Sequence, residues 1–314
     1  MLNQDDITRF NTQGFLVVED LLEDSLLTRI RAEYAELLDQ LYGAWHDEGR
    51  VPAPKGLGFE EKLSAAYRAG CDWFQPMDIS LPNEQITPQT PMHFGPAVFD
   101  MVVHERILDC VEALIGPEIT SCPIQHVRIK PPAPQLSKDE VRAHVGQTDW
   151  HQDRAVALQE ADQTDMVTVW LAITDATEEN GCLQVAPNLA EGMLPHCPKR
   201  QTAIADGFVE EANAVPLPVK AGGALLLHPL LPHSSRPNHS TGFRWSFDLR
   251  YSRTGQPTGR AQFPDFIARS RATPQAELRD WRAWRTLWEE ARLRLSTTPH
   301  IEQHRWQSDA PFCA

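Results

Sequence analysis

The chain has little positive charge to offer. Its 29 Lys and Arg stand against 43 Asp and Glu, a net charge of −14 over 314 residues. Binding nucleic acid means neutralising phosphates, and anionic membrane surfaces make the same demand, so neither partner is expected and a small molecule is the default. Long apolar runs are missing too. Nowhere do 18 uncharged apolar residues follow one another, so no membrane-spanning helix is expected. The opening segment, MLNQDDITRF, has neither a basic leader nor an apolar stretch of signal-peptide length, which makes a cytoplasmic location the expectation. Cysteine is sparse. The six, at 71, 110, 122, 182, 197 and 313, form no C-x-x-C pair and no zinc-knuckle spacing, and all are expected to be reduced, mostly as buried small hydrophobes.

What remains is an ordinary globular composition, 41% apolar and 23% charged, long enough to bury a substantial core. One elaborated domain over 1–314 is expected, with its core at about 10–255. Apolar residues Leu27, Ile30, Tyr34, Leu37, Leu38 and Leu41 recur every three or four positions behind Asp24, a helix with a candidate cap. A short strand at Gly14 to Val18 precedes it. Residues 45–100 are rich in proline and glycine and read as a lid or binding loop with one short helix at 60–68. Trp73, Phe74, His93 and Phe94 in that region are candidates for substrate contact or for buried loop anchors. After a helix at 107–115, β-type runs follow at 125–130, 166–173, 182–186, 224–227 and 243–251, separated by turn residues. Many short strands with little helix between them predict an antiparallel sandwich or barrel, a jelly roll first. A final helix is expected at 275–295, bounded by Pro274 and Pro299, its stripe of Trp281, Trp284, Trp288, Ala291 and Leu295 packing on the barrel or forming a dimer contact. The oligomeric state is not legible.

Chemistry concentrates in a few places. His151 and Asp153 lie two residues apart, and in an extended segment such residues point to the same side, offering one nitrogen and one oxygen to a common point. The run from Gly222 to His233 offers a third ligand in His228 or His233. His228 ends an apolar strand and could simply bond a backbone carbonyl; His233, which opens a polar stretch, is preferred. Two imidazoles and one carboxylate on one face suit non-haem iron with open coordination positions, although zinc accepts the same set. In the run from Phe243 to Tyr251, odd positions are apolar and even ones polar. If the barrel interior is polar, Arg244 points inward as a fixed cation able to grip a carboxylate with two hydrogen bonds. Arg128, Arg154 and Arg250 lie nearby, as substrate-binding candidates or salt-bridge partners.

This ordered set resembles the phytanoyl-CoA dioxygenase family of Fe(II)- and 2-oxoglutarate-dependent oxygenases. The residues that carry the resemblance are His151-Gln152-Asp153, the run 180–187 from Asn180 to Pro187, the run 228–235 from His228 to Ser235, and Arg244 eleven residues after His233. Residues 10–22 and Ile129-Lys130-Pro131-Pro132 look similar as well. The resemblance implies a mainly β fold with flanking helices, the cupin-like double-stranded β-helix. It implies His151, Asp153 and His233 as Fe(II) ligands, with O2 as co-substrate. Arg244 is implied on the distal carboxylate of 2-oxoglutarate, Ser235 assisting, with Trp170 and His126 at positions lining the co-substrate site. The halogenating relatives replace the metal carboxylate by a small residue; Asp153 is present, so hydroxylation or a related oxidation of a small organic metabolite, with release of succinate and CO2, is the expectation. No compact Lys/Arg cluster suits CoA phosphates, which favours a free metabolite. The alternatives are a zinc- or manganese-dependent cupin-like enzyme, which would have no use for Arg244, and a non-catalytic small-molecule binding protein.

Overall fold

A computed structural model describes residues 2–140, 142, 145–186, 189–199, 201–298 and 305–313. Helix α1 (Gln4–Gln13) starts at Asn3, whose side chain accepts from the Asp5 and Asp6 amides. It stops at Gly14, whose φ of 84° few other residues tolerate. The chain turns at once into strand β1 (Phe15–Val18) and, after a short loop, into α2 (Asp24–Asp47). This helix runs past the expected end because its apolar spacing continues through Leu38, Tyr42 and Trp45, all buried. Asp24 is not the cap: Glu23 holds that position without a side-chain bond, and Asp24 lies in the first turn, where an acidic group suits the helix dipole.

The proline-rich stretch contains more helix than its composition predicts. Beside α3 (Phe59–Arg68) it holds the single turn α4 (Phe74–Met77) and α5 (Pro96–Val102). Pro96 stands at the start of α5, where a missing amide costs nothing. Of the loop aromatics, Trp73 is buried, and Phe94 stacks on helix tryptophans described below. His93 Nε2 lies 2.8 Å from Glu33 Oε1 as an anchor, and Phe74 lines a cavity.

After α6 (Glu105–Ile115) come β2 (Glu118–Lys130), β3 (Thr148–His151), the single turn α7 (Asp153–Val156), β4 (Met166–Ala172), β5 (Leu183–Val185), the β6 (His196–Pro198) and β7 (Thr202–Ile204) hairpin, and β8 (Val215–Leu217). Then follow β9 (Ala224–Leu227), β10 (His233–Ser235), β11 (Arg244–Arg253), β12 (Phe266–Ser270) and α8 (Trp281–Leu295). A six-stranded sheet, β1-β9-β4-β11-β2-β12, faces a four-stranded one, β3-β10-β5-β8. Every strand pairing among the described residues is antiparallel. This is the mainly β, cupin-like jelly roll with flanking helices that the sequence led us to expect.

The larger sheet is buried on both faces. Trp245, Phe247, Leu249 and Tyr251 of β11 join Val127 and Ile129 of β2 and Val167, Val169 and Leu171 of β4 in one core with the helices. On the opposite face, Trp170 and Leu225 pack with Leu183, Val185 and Leu217 of the smaller sheet. The stripe on α8 is internal: Phe94 meets Trp284 edge-on at 4.5 Å and stacks on Trp288 at 5.3 Å. This helix begins at Trp281, later than expected, because the Asp280 side chain caps it by accepting from the Arg282 amide, while residues Pro274–Ala276 form a separate 3₁₀ turn. Pro299, expected to bound it, and Pro187, part of the family-like run, lie outside the described residues. No helix among the described residues is long and apolar enough to cross a membrane.

One expectation fails outright. Cys197, in β6, and Cys313 form a disulfide, their Cα atoms 5.5 Å apart; the partners are 116 residues apart in sequence, and spacing gave no sign of the pair. The other four cysteines are free and buried, as expected. The bond joins the C-terminal segment to the strand of His196, whose ring Trp306 stacks on at 5.0 Å while donating its indole N–H to the Ala155 carbonyl at 2.9 Å. His196 donates from Nδ1 to the Leu194 carbonyl and accepts the Gln152 amide at Nε2.

Two predictions follow from this packing. Trp288→Ala should lower unfolding stability by about 3–5 kcal/mol in urea, whereas Leu293→Ala, on the exposed side of α8, should stay within about 0.5 kcal/mol. Burial holds the His196 imidazole down to about 4 from its ordinary 6.5. The native state therefore prefers the neutral ring: its contribution is complete above 6.5 and declines as pH falls from there towards 4. Unfolding measured at pH 7 and pH 4.5 should show wild type losing on the order of 2 kcal/mol more than His196→Asn; equal losses would contradict this.

Candidate metal centre

The first ligand pair straddles a change of secondary structure. His151 is the last residue of β3 and Asp153 the first of α7, so the two do not share a strand as expected. Gln152 between them keeps extended angles, φ −113° and ψ 136°, which preserves the common orientation. Its side chain points the other way and is tied down: the amide nitrogen donates to the Gly192 and Leu230 carbonyls, and its oxygen accepts the Leu194 amide. His233 opens β10, directly opposite His151 in the antiparallel pairing. The Asn180-Gly181 turn leads into β5 on the other side of β10. At Gly181, with φ 84°, a Cβ would lie 2.3 Å from the Arg236 carbonyl oxygen, so only glycine fits.

Both imidazoles are set the same way. His151 donates from Nδ1 to the Asp149 carbonyl at 2.9 Å and His233 from Nδ1 to the Leu231 carbonyl at 3.0 Å, which leaves each Nε2 turned to the interior. The two Nε2 atoms lie 3.9 Å from Asp153 Oδ1 and Oδ2 respectively, and the three ligand atoms fall within 4.8 Å of one another. Two imidazole nitrogens and one carboxylate, all buried, are a donor set for a divalent metal ion. Burial, then the neighbouring His233, pushes His151 well below its ordinary value, which keeps it unprotonated. For Asp153, burial alone would raise the carboxyl. Arg250 foremost, with His233, His151 and the Thr168 hydroxyl, more than reverses this and holds it ionised.

The polar face of β11 completes the cavity, and the solvated alternative for that face is excluded because all of it is buried. Arg244, Asp248 and Arg250 line the same space as His151, Asp153 and His233, together with Arg128, Thr168, Trp170 and Ser235. Arg128 pairs with Asp248 and Arg250 with Asp153. Arg244 has no carboxylate partner among the described residues. It donates to Ser246 Oγ at 2.6 Å and lies 5.2 Å from the Trp170 ring centre, and its buried Nε has no acceptor. Burial brings its guanidinium down to about 10, still cationic at neutral pH. Ser235 Oγ accepts from Lys130 Nζ and from the Thr148 amide, both at 2.8 Å, so its own proton is free to be donated onward.

His126 goes elsewhere. It donates from Nδ1 to Asp78 at 2.8 Å and lines a neighbouring chamber of about 410 Å³ with Phe74, Leu81, Ile124 and Val156. The chamber reaches the first cavity through Arg128, Thr148, His151 and Arg250, which line both. His228 lies outside the set and, in place of the carbonyl bond expected of it, its Nδ1 accepts the Leu230 amide while the ring packs 5.9 Å from that of Phe10. Arg154 binds the Ala161 carbonyl and lines neither space. Sequence reasoning gave Lys130 no role beyond its place in a family-like run and passed over Thr168. Both carry the period-two signal, Lys130 on the face of β2 that also holds Arg128 and Thr168 beside Trp170 on the all-buried β4.

A model of the phytanoyl-CoA dioxygenase (PhyH) family matches residues 10–246. A probable phytanoyl-CoA dioxygenase of Caenorhabditis elegans is 23% identical over 252 residues, 77% of this chain and 73% of that protein. Among solved structures, the apo form of ThoJ, a non-heme monooxygenase, aligns with a TM-score of 0.59 at 22% identity, over 92% of this chain and 98% of its own. The α-ketoglutarate-dependent epimerase SnoN from nogalamycin biosynthesis aligns with a TM-score of 0.51 at 19% identity, over 81% and 85%. With a family match across most of its length and a buried His, Asp, His set at the centre of the fold, the chain belongs to the phytanoyl-CoA dioxygenase family of non-haem, Fe(II)- and 2-oxoglutarate-dependent oxygenases.

Proposed function

We propose that this protein hydroxylates a small, free organic metabolite, with His151, Asp153 and His233 holding Fe(II) and Arg244 holding 2-oxoglutarate. The observation that carries the reading is the buried guanidinium of Arg244, which has no carboxylate partner in a cavity where each of the other two arginines has one. A buried cation without a counter-ion is costly unless an anion arrives, and a planar fork matches a carboxylate. Trp170 supports one side of that guanidinium, and the Ser235 hydroxyl, its oxygen already occupied by two donors, supplies a further hydrogen bond to the same anion. Bound at this donor set, iron with 2-oxoglutarate supplies O2 activation coupled to decarboxylation, yielding succinate and CO2.

The other residues of the site bind, orient and exclude water. Burial keeps His151 unprotonated and the pair with Arg250 keeps Asp153 ionised, so neither has a proton to lose before a metal ion binds. The 410 Å³ chamber, which includes His151 in its wall, is the proposed substrate space; Phe74, Leu81, Ile124 and Val156 give it an apolar side, and His126 and Gln201 polar ones. Its two lining arginines besides Arg250 are paired, Arg128 with Asp248 and Arg142 with Glu140, so it suits a polar but largely neutral molecule better than the phosphates of a CoA ester. SnoN, an epimerase by its name, marks a second outcome that such a site serves: a product without added oxygen.

Titrating the anaerobic apoprotein with Fe(II) and 2-oxoglutarate should produce the weak visible absorption of a keto acid chelated to iron, and Arg244→Ala should weaken 2-oxoglutarate binding at least about tenfold, the range of a charge-assisted bond. Absence of the band in the wild-type protein, or undiminished binding in the variant, would contradict the reading. With a turned-over substrate, a product heavier by one oxygen distinguishes hydroxylation from an isomerised product of equal mass.

A further inference from the structure

Asp153 is gripped at both oxygens. Thr168 Oγ1 donates to Oδ2 at 2.6 Å, and Arg250 pairs with Oδ1. Arg250 and Thr168 are direct neighbours across the β11–β4 ladder, and their side chains converge on the first residue of α7. Arg250 is itself fixed: its other terminal nitrogen donates to the Ile124 carbonyl at 3.0 Å, and the residue is almost fully buried. A carboxylate oxygen has two lone pairs, so each Asp153 oxygen can keep its hydrogen bond and still face His151 or His233.

Charge alone gives such an arginine an adverse effect. A buried guanidinium one residue away from a divalent ion repels it. Geometry works in the opposite direction, because a side chain at the start of a single helical turn has rotamers that point away from the histidines, and the Arg250 and Thr168 pair selects the one that does not.

We propose that Arg250 is a positioning residue for the metal carboxylate, fixing Asp153 towards His151 and His233, and that this geometric gain exceeds the electrostatic repulsion. The inference rests on the reading of His151, Asp153 and His233 as metal ligands. Arg250 then acts on the metal through Asp153 and not as a ligand, and that contribution is read in the affinity of the empty site.

The test is equilibrium titration of the folded apoprotein with Co(II) alone, followed by ligand-field absorption, with no turnover involved. Arg250→Met should weaken Co(II) binding about 10–100-fold, as loss of an outer partner does at other metal sites. Arg250→Lys keeps the cation without the planar fork and should fall between, about 3–10-fold weaker than wild type. A purely electrostatic role gives the reverse pattern, tighter binding in Arg250→Met and wild-type affinity in Arg250→Lys, and either result overturns the proposal. Should Arg250→Met not fold, Arg250→Lys decides alone. His151→Ala, which removes a ligand, should abolish binding. If wild type itself takes up no Co(II), the metal reading fails and this inference with it; if wild type binds and the Arg250 variants bind equally well, only the inference fails.

Discussion

A carboxylate buried between two sheets is the constraint around which this molecule is arranged. Asp153 is 1% exposed, and a buried charge deprived of its partner costs on the order of 3–5 kcal/mol. Its compensation is assembled from distant parts of the chain: Thr168 on β4, Arg250 on β11 and two imidazoles from β3 and β10. None of these can shift far without exposing the charge. The jelly roll therefore closes around a polar layer, and the helices on the far side of the larger sheet carry the apolar burial that such a layer cannot provide.

The same layer explains the position of Arg244. Each of the other cavity arginines is neutralised by a neighbour on an adjacent strand, Arg128 by Asp248 and Arg250 by Asp153. Arg244 alone is supported by an indole face and a serine hydroxyl, partners that orient a cation without discharging it. Compensation of two of the three cavity arginines gives the cavity a direction, with a His, Asp, His cluster at one end and a guanidinium without a carboxylate partner among the described residues at the other. The separate chamber with His126 and Asp78 lies beside this axis and shares Arg128, Thr148, His151 and Arg250 with it.

Much of this was legible in the residues, for identifiable reasons. The alternation along β11 shows in sequence because one face meets the helical core and the other the cavity, and both demands repeat every second residue. His151 and Asp153 announced themselves by spacing, although the strand ends between them; Gln152 holds the extended angles that make spacing a sound guide. His126 lines the neighbouring chamber because the alternation of β2 gives the face but not the depth, and four residues along a strand separate it from Lys130. Arg250 offered no sign of its partner, since Asp153 lies 97 residues earlier. The Cys197–Cys313 bond and the α5 helix hid for related reasons: the first is a contact between remote segments, and the second follows a proline that composition counts as a breaker but geometry accepts at a helix start.

The central claim is that one cavity holds a metal ion at its His, Asp, His end and a dicarboxylate at Arg244. An anaerobic crystal structure with Mn(II) and 2-oxoglutarate addresses it most directly. The account requires the ion on the Nε2 atoms of His151 and His233 and the carboxylate of Asp153, with a 2-oxoglutarate carboxylate against the Arg244 guanidinium. An ion bound at other residues, or an ordered 2-oxoglutarate that leaves Arg244 without an anion, would contradict it.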